Sequence, residues 1–339
     1  MGLWTPKKRV LSAIAGGRGD RVPATSVSQT GTYEQMEKIG VWWPEAHLNA
    51  EGMARLAMAA YELTGLETAR VPFEQTVEAE AMGCKLRFKK DIPAVIEPAL
   101  KDLTDLKVPT DFLFLGRIPV IVGAVKMLKE KVGDRLPVIA SVVGPFSLAG
   151  MLMEMTAFSL LVVTNVNVVK GALNELIELT IGYADSLTKA GADVVVIEDM
   201  VASIVSPPMC EEVILPIWKE LEAKIKVFTV LHVCGNVTSH LEMMVGSGVD
   251  AISIEKKTSL EVAVELARDK AAVIGNIDPV TTLFMGEATD VEREAEEAIK
   301  GGVDLLAPGC SLAPGTPLKN IKAMVKAAET YGYKRGGEE

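Results

Sequence analysis

The chain is poor in the side chains that most often carry metal or redox chemistry, with only three histidines and four cysteines among 339 residues. The cysteines are unevenly spaced and do not resemble the framework of a small disulfide-bonded protein. We therefore expect free thiols and a reducing compartment, the cytoplasm. The four cysteines are Cys84, Cys210, Cys234 and Cys310.

Positive charge is also in deficit. The chain has 35 Lys and Arg residues against 45 Asp and Glu residues, which gives a formal net charge of −10. Because nucleic-acid binding depends on basic groups that displace counterions, we do not expect a nucleic-acid partner. The basic residues form only short clusters typical of solvated faces, at Lys7–Arg9, Lys89–Lys90 and Lys256–Lys257.

Long apolar runs and nucleotide-binding loops are absent as well. The most apolar stretch, Ser159–Val169, is interrupted by Asn165 and Asn167 and is too short to span a bilayer. The first ten residues, MGLWTPKKRV, lack the apolar region of a signal peptide. Neither a GxGxxG pattern before a helix nor a Walker loop is present. We therefore expect no membrane insertion and no bound nucleotide.

The chain does contain a regular alternation of apolar strand-like segments and segments of helical periodicity. Glycines follow several helical segments, as they do at helix carboxyl ends. The predicted strands are Val22–Val27, Ala69–Phe73, Val138–Val143, Val194–Glu198, Val227–His232, Ala251–Ile254, Ala272–Gly275 and Val303–Ala307. The predicted helices include Thr5–Ala15, Glu51–Thr64, Ala157–Ala190, Pro208–Ala223, Val237–Ser247, Ser259–Asp269, Val291–Gly301 and Pro317–Tyr331.

Three of the helix-to-strand connections have similar sequences, KAGADVVVI, GSGVDAISI and KGGVDLLAP. This repetition favours an α/β fold of the (β/α)8 TIM-barrel type with an N-terminal helical extension; a doubly wound open sheet is the alternative. The segment Met82–Leu136 contains several prolines and is expected to leave the barrel as a small hairpin or lid. We predict one domain over residues 1–333 and a disordered tail over 334–339.

His232, Cys234 and Cys310 are the candidate metal ligands. His232 and Cys234 end a predicted strand and, being two residues apart, point to the same side of it. Cys310 follows the last predicted strand in a Pro/Gly turn. One imidazole nitrogen and two sulfurs suit tetrahedral zinc with one position left for a reacting group. The alternative is that the cysteines are small buried apolar residues.

Other polar side chains also stand at predicted strand ends, where TIM barrels carry their chemistry. Glu255 is favoured as a weaker zinc ligand with a catalytic role, and the alternative is an ion pair with a neighbouring lysine. Asp199 is a candidate catalytic residue, or else a cap of the next helix. Asn276 is a candidate cofactor-binding residue, although an Asx turn with Asp278 is the simpler interpretation. Two histidines, His47 and His240, are expected at the surface or at helix caps.

These motifs resemble the uroporphyrinogen-decarboxylase-like superfamily, and more closely its zinc methyltransferase branch, the methylcobamide:coenzyme M methyltransferases of methanogenesis. The likeness covers nearly the whole chain. It is strongest in LHVCGN around His232 and in LAPGCSLAPGTPLKNIKAM around Cys310, motifs that related corrinoid-linked methyltransferases share. It extends through Arg21–Pro23, Ser28–Gly31, Trp43–His47, Glu80–Cys84, GADVVVIEDMVAS and Gly275-Asn276.

The resemblance implies a zinc enzyme that moves a methyl group from a methylated corrinoid protein to a small thiol, coenzyme M. The zinc ligands would be His232, Cys234 and Cys310, with Glu255 as a fourth ligand that the thiol displaces. Cobalamin-independent methionine synthase has a similar His-x-Cys, Glu, Cys set, which supports Glu255. The chain lacks the DxHxxG pattern of corrinoid-binding modules, so the methylcobalamin-type cofactor must arrive on a partner protein.

Three alternatives remain at this point. The methyl group could move the other way, from an O- or N-methylated substrate to a corrinoid protein. The chain could be a decarboxylase-like lyase, but the arginine-rich N-terminal loop of true uroporphyrinogen decarboxylases is replaced by VSQTGTYEQM. It could also be a non-catalytic component of a corrinoid complex.

A corrinoid on a carrier protein needs a wide and partly apolar face around the metal. We expect the rim of that face to be formed by loops at Gly144–Met155, Met200–Met209 and Ile277–Gly286. The apolar contacts would come from Pro145, Phe146, Met151, Met153, Pro207, Pro208, Leu283 and Phe284.

Overall fold

Seven parallel strands form the main sheet, and two short strands form a separate hairpin. The computed structural model describes residues 4–89 and 91–332, so the predicted tail 334–339 lies outside the described residues. The sheet order is β1-β4-β5-β6-β7-β8-β9 and the hairpin is β2-β3. The strands are β1 Ala69–Val71, β2 Lys85–Arg87, β3 Ala94–Glu97, β4 Val138–Val143, β5 Val194–Glu198, β6 Phe228–His232, β7 Ala251–Ser253, β8 Ala272–Ile277 and β9 Leu305–Pro308.

The segment predicted as the first barrel strand, Val22–Val27, forms only an isolated parallel bridge from Ala24 to Leu306 of β9. Expecting a regular eighth strand there was wrong. Pro23 has no N–H to donate, so the ladder cannot extend through it. The segment still has bonds on both sides, because Thr25 N–H donates to the Leu306 carbonyl (2.9 Å) and Ala24 accepts from Glu67 N–H (2.8 Å).

A fully buried arginine ties this segment to the sheet. Arg70, in β1, is 0% exposed. Its guanidinium donates to the carbonyl of Val27 (3.2 Å), to Ser141 Oγ of β4 (2.8 Å) and to Glu198 Oε1 of β5 (2.6 Å). A single side chain therefore links three neighbouring strands with the segment that precedes them.

The strands of the main sheet are buried and largely apolar because both faces are covered, as is usual for parallel sheets. One buried cluster contains the side chains of alternate strand residues, including Val194 and Val196 of β5, Val230 of β6 and Ala251 of β7. Because side chains alternate along a strand, the next positions on this inner face are Glu198, His232 and Ser253. The inner face thus changes from apolar to polar at the carboxyl ends of the strands.

Helices connect the strands and precede the sheet. Some of the helix starts have a side-chain cap: Thr5 caps α1, and Thr32 with Gln35 forms a capping box at α2. The α-helices are α1 Pro6–Ile14, α2 Tyr33–Ile39, α3 Glu45–Leu48, α4 Ala50–Thr64, α5 Val77–Ala81, α6 Ile118–Val132, α7 Pro145–Leu152, α8 Met155–Thr164, α9 Val166–Ala190, α10 Pro207–Met209, α11 Leu215–Lys224, α12 Leu241–Gly246, α13 Leu260–Ala267, α14 Ala288–Gly301 and α15 Leu318–Tyr331. Short 3-10 turns lie at Leu103–Asp105, Phe112–Phe114, Ala202–Ile204 and Thr238–His240, and a π-helical turn at Cys210–Ile214.

The single long helix predicted over Ala157–Ala190 was wrong, since the chain breaks at Asn165 into α8 and α9. Asn165 has φ −150° and ψ 68°, which is not helical. Within the described ranges, no single helix is both long and apolar enough to cross a membrane. Only α8 and α9 taken together are long and apolar enough, and the two helices are bent by 115° at the break between them.

The excursion predicted over Met82–Leu136 contains the hairpin, confirming that part of the expectation. β2 and β3 pair antiparallel, with an irregular register between Lys85 and Leu86. The same stretch also contains α6, which packs against α4 and α9. The stretch therefore contains both a separate hairpin and a helix packed among the helices around the main sheet.

Candidate metal centre

The structure brings His232, Cys234 and Cys310 together. His232 is the last residue of β6, Cys234 lies two residues beyond it, and Cys310 lies two residues beyond β9. One ligand atom from each residue lies within 4.8 Å of the other two. His232 is almost fully buried, and both cysteines are half-buried. Residues 78 positions apart in sequence thus form one compact N/S/S group.

The spacing within this group fits tetrahedral zinc. Zinc holds sulfur at about 2.3 Å and nitrogen at about 2.0 Å, so a tetrahedral site places its sulfurs about 3.8 Å apart and nitrogen and sulfur about 3.5 Å apart. The Cys234 and Cys310 Sγ atoms are 3.8 Å apart, and His232 Nε2 is 3.5 Å from Cys234 Sγ. The donor set and its geometry therefore suit zinc, with a fourth position for another group.

The two thiols share their protons unequally. The hydrogen bond from Cys234 lowers the pKa of Cys310 against the opposing effect of burial, and the His232 ring lowers it further. The same hydrogen bond, together with burial, raises the pKa of Cys234. Burial alone would lower the pKa of His232, but its bond to Cys310 and the nearby negative charge raise it. The second thiolate therefore needs a cation to stabilise it, so metal binding would release a proton.

Glu255 lies beside this group without belonging to it. Its Oε1 accepts a hydrogen bond of 2.6 Å from the N–H of Gly235, the residue after Cys234. Gly235 has φ 89°, a left-handed conformation that favours glycine. Within the described ranges, Glu255 is not among the three residues whose ligand atoms cluster. The carboxylate thus supports the turn that carries Cys234, and its role as a ligand stays a prediction.

Asp199 holds the start of a neighbouring helix. Its Oδ1 accepts from the N–H of Ser147 in α7, and its Oδ2 accepts from Trp218 Nε1–H, each at 2.8 Å. Burial raises the pKa of Asp199, and these two donors oppose that shift. The helix that Asp199 caps is therefore α7, which precedes β5, rather than the next helix, as the alternative expected. A direct catalytic role for this residue stays a prediction.

Asn276 lies inside β8 and is 3% exposed. Its Oδ1 has no hydrogen-bond partner among the described residues, which leaves one polar atom available to a ligand. Asp278 makes the expected Asx turn, since its Oδ1 accepts from the N–H groups of Val280 and Thr281, each at 2.8 Å. Cofactor binding by Asn276 stays a prediction.

Sequence reasoning missed two polar residues on the inner face. Glu198 stands beside His232 in register and binds Arg70, whereas Asp199 turns away to α7. Ser253 hydrogen-bonds His232 through its hydroxyl, 3.1 Å from Nδ1. Because every second residue of a strand faces the same side, counting from Val194 along β5 and from Ala251 along β7 would have selected both residues.

The expectation for His47 was wrong. The residue lies in α3, is 0% exposed and stacks on Trp43 with ring centroids 4.9 Å apart. Neither ring nitrogen has a hydrogen-bond partner within the described ranges. His240, although buried, does stand at the N-cap position of α12, as expected for a helix cap.

Comparison with known proteins supports the same fold and family. The family model for uroporphyrinogen decarboxylase (URO-D) matches residues 5–331. The methylcobamide:CoM methyltransferase MtaA of Methanosarcina barkeri is 40% identical over 98% of this chain and 99% of that protein. The methylcobamide:CoM methyltransferase MtbA of Methanosarcina mazei is 40% identical over 97% of this chain and 99% of that protein.

A solved methyltransferase from Methanosarcina mazei superposes with a TM-score of 0.93 at 39% identity, over 97% of this chain and 99% of that one. Fold, sequence and the arrangement of polar residues at the strand ends therefore agree. The chain belongs to the uroporphyrinogen decarboxylase family, in its methylcobamide:coenzyme M methyltransferase branch.

Proposed function

We propose that this protein transfers a methyl group from a methylated corrinoid, carried on a partner protein, to the thiol of coenzyme M, in methanogenesis from methylated compounds. The names of its 40%-identical relatives supply the reaction. The observation that carries the proposal is the His232/Cys234/Cys310 group, whose atom spacings are those of a three-ligand zinc site.

The reaction consumes one thiol and one methyl group. The thiol loses its proton, its sulfur forms a bond to the methyl carbon, and the carbon–cobalt bond breaks with its electron pair left on cobalt, which changes from Co(III) to Co(I). A free alkyl thiol is mostly protonated at neutral pH, because its pKa is about 8.5. Zinc held by this donor set would supply the charge that favours the thiolate.

The protein's own residues position the reactants. We propose that His232, Cys234 and Cys310 hold the zinc and that Glu255 is a fourth ligand which the thiol displaces. Its carboxylate already lies at the Gly235 turn, next to Cys234. Both carboxylate oxygens of Asp199 already accept hydrogen bonds, from Ser147 and Trp218. Asp199 would therefore contribute by holding α7 in place rather than by touching the reactants.

We also propose that the segment around Ala24 closes the sheet into a (β/α)8 barrel and that residues 1–333 form one domain. The bonds of this segment to Leu306 on one side and to Glu67 on the other support closure. A cytoplasmic location is proposed because two cysteines needed as metal ligands stay reduced there.

Metal analysis tests the site directly. The purified protein should contain about one equivalent of zinc, and Cys310→Ala or Cys234→Ala should lose most of it. Glu255→Gln should keep most of its zinc, because three ligands remain. Ser141→Ala, a change on the inner face that removes no ligand, serves as the control. Zinc loss from Glu255→Gln as complete as from Cys234→Ala would refute the displaceable role.

A spectrophotometric assay tests the reaction. With methylcobalamin and coenzyme M, the zinc-loaded protein should produce cob(I)alamin only when the thiol is present. Absence of cob(I)alamin with every thiol tested would favour methyl transfer from an O- or N-methylated substrate to the corrinoid. Inactivity in both directions would favour the non-catalytic role, and carbon dioxide release from uroporphyrinogen would favour the lyase.

Exposed apolar side chains lie in loops that follow the strands on the side of the metal group, and they support docking of a corrinoid carrier on this face. Ile204 follows β5 and is 54% exposed, and its neighbour Ser203 lies beside Gly235. Phe284 follows β8, is 42% exposed and lies against Gly315 in the loop after Cys310. Exposed apolar residues grouped at one end of a protein commonly mark an interaction site.

Several residues expected to contact the carrier do not reach the surface. Phe146 and Leu283 are 0% exposed and Met153 is 6% exposed, so they pack the loops onto the core instead. Phe146 makes an edge contact with Phe158, with ring centroids 5.0 Å apart. The proposed contacts are therefore carried by exposed neighbours such as Phe284, Met285 and Ile204.

Charging this surface should weaken docking alone. Phe284→Glu should raise the apparent KM for the methylated corrinoid protein about tenfold or more, the size expected for a central interface aromatic. Its zinc content and its rate with free methylcobalamin should not change. Ala15→Glu, at the opposite end of the sheet near the starts of β8 and β9, is the control. An unchanged KM for Phe284→Glu would place the carrier elsewhere.

A further inference from the structure

We propose that Ser253 is a positioning residue that fixes the His232 ring, so that Nε2 faces the metal and Nδ1 keeps its proton. This inference rests on the proposed zinc site. It assigns a role to a side chain that touches neither substrate nor metal.

The contact is built into the sheet. His232 ends β6, Ser253 ends β7, and the two are register partners on neighbouring parallel strands. Ser253 is 0% exposed and His232 is 2% exposed. The hydroxyl oxygen of Ser253 lies 3.1 Å from Nδ1, while the opposite ring nitrogen, Nε2, lies 3.5 Å from Cys234 Sγ. The ring therefore has one nitrogen on the serine and the other on the cysteine group.

This arrangement selects one tautomer. A neutral imidazole carries one proton, and a metal ligand must offer the nitrogen that lacks it. With Nε2 as the ligand atom, Nδ1 is the donor and Ser253 Oγ accepts. Without this acceptor, the Nδ1 proton would be buried without a partner, which costs about 1–3 kcal/mol. Partners of this kind orient metal-binding histidines, and their loss typically weakens metal affinity about 10–100-fold.

Among the described residues, no other side chain forms a hydrogen bond with Nδ1 of His232. Glu198 stands beside His232 on β5, where its Oε1 is held by Arg70 at 2.6 Å and its Oε2 makes no hydrogen bond to the ring or to any other described residue. Glu255 lies two residues after Ser253, just beyond the end of β7, and its Oε1 accepts a hydrogen bond from the Gly235 N–H. The serine hydroxyl is therefore the group in place to receive the imidazole proton.

A pair of variants of equal shape isolates the hydroxyl. Ser253→Thr and Ser253→Val add the same bulk to a buried strand position, but only threonine keeps an acceptor. Zinc dissociation constants, measured by competition with a chromophoric chelator, should be about 10–100-fold weaker for valine than for threonine. Ser141→Ala, whose lost hydroxyl bonds Arg70 rather than a metal ligand, should bind zinc like the unchanged protein.

A second measurement uses the unchanged protein and depends on no variant folding. With only three histidines in the chain, ¹⁵N-histidine labelling gives few ring signals to assign. In the zinc-loaded protein, Nδ1 of His232 should carry the proton and Nε2 should show the shift of a metal-bound nitrogen. The reverse assignment would overturn the inference.

The two proposals fail differently. Absence of zinc binding by the unchanged protein would refute the proposed function. Normal zinc binding with equal affinities for Ser253→Thr and Ser253→Val would refute only the role of Ser253.

Discussion

At the scale of single residues, burial is the largest cause of the shifted pKa of His47. His47 stacks on Trp43 with neither ring nitrogen bonded to a described residue, and burial lowers its pKa to about 4. Nearby Glu74 opposes the shift, and Arg117, which is paired with Glu74, adds to it. The folded protein therefore favours the neutral form of the His47 ring.

This shift predicts a loss of stability in acid that can be assigned to His47. The unfolded chain binds a proton below the ordinary histidine pKa of about 6.5, whereas the folded protein does so only below about 4. The stabilising contribution is thus complete above pH 6.5 and falls by roughly 3 kcal/mol as the pH drops through this window. His47→Phe keeps an aromatic ring against Trp43 and removes the titration.

Urea unfolding at several pH values between 7 and 4 checks this prediction. The difference in unfolding free energy between the unchanged protein and His47→Phe should shift in favour of the variant as the pH falls. Parallel pH profiles for the two proteins would show that His47 does not titrate abnormally.

At the scale of single elements, Gly144 and Gly171 differ in whether there is room for a side chain. Gly144 precedes α7, and a Cβ there would lie 2.4 Å from Cγ of Asp199, the residue that caps this helix. Gly171 lies within α9, where a Cβ would meet nothing within 4 Å. Only the first glycine is required by its surroundings.

Alanine at these two positions should therefore change stability in opposite directions. Gly144→Ala should lower the unfolding free energy by about 1–3 kcal/mol, because α7 or Asp199 must move to accommodate the methyl group. Gly171→Ala should raise it by about 0.5–1 kcal/mol, because alanine loses less backbone entropy in a helix. Denaturant midpoints measure both effects, and a stabilising Gly144→Ala would contradict the close packing of α7 on Asp199.

At the scale of the whole molecule, Arg70 joins parts of the chain that are far apart in sequence. Its partners lie in the segment around Val27, in β4 and in β5. The Arg70–Glu198 pair is fully buried, with side-chain exposures of 0% and 1%. Removing one member of such a pair leaves a buried charge without compensation, which costs more than the pair itself contributes.

Arg70→Met should therefore destabilise the protein by about 3–5 kcal/mol. Combining it with Glu198→Leu should recover a large part of that loss, since no charge is then buried alone. Lys85→Met, in an ion pair whose members are 67% and 61% exposed, should cost less than about 1 kcal/mol. Equal losses for Arg70→Met and the double variant would show that the arginine's backbone contacts, not its charge, dominate.

The sequence by itself determined which segments are strands and which residues stand at their ends. Apolar runs bounded by glycine turns located all seven strands of the main sheet to within a few residues. The spacing of two between His232 and Cys234 predicted that both face the same side, and the apolar run Val303–Ala307 with its following Pro/Gly turn predicted that Cys310 lies just beyond a strand end. These are local properties, since the alternation of side chains depends only on neighbouring residues.

Only the tertiary structure decided which strand ends meet and which buried groups become partners. Three contacts depend on which strands lie side by side and in which register: the hydrogen bond between His232 and Ser253, the ion pair between Arg70 and Glu198 of β5, and the bridge from Ala24 to Leu306. The burial of His47 depends on what packs against α3, where its ring stacks on Trp43. Such contacts join residues that are distant in sequence, and they stabilise the protein only after the chain has folded. No local sequence pattern therefore encodes them.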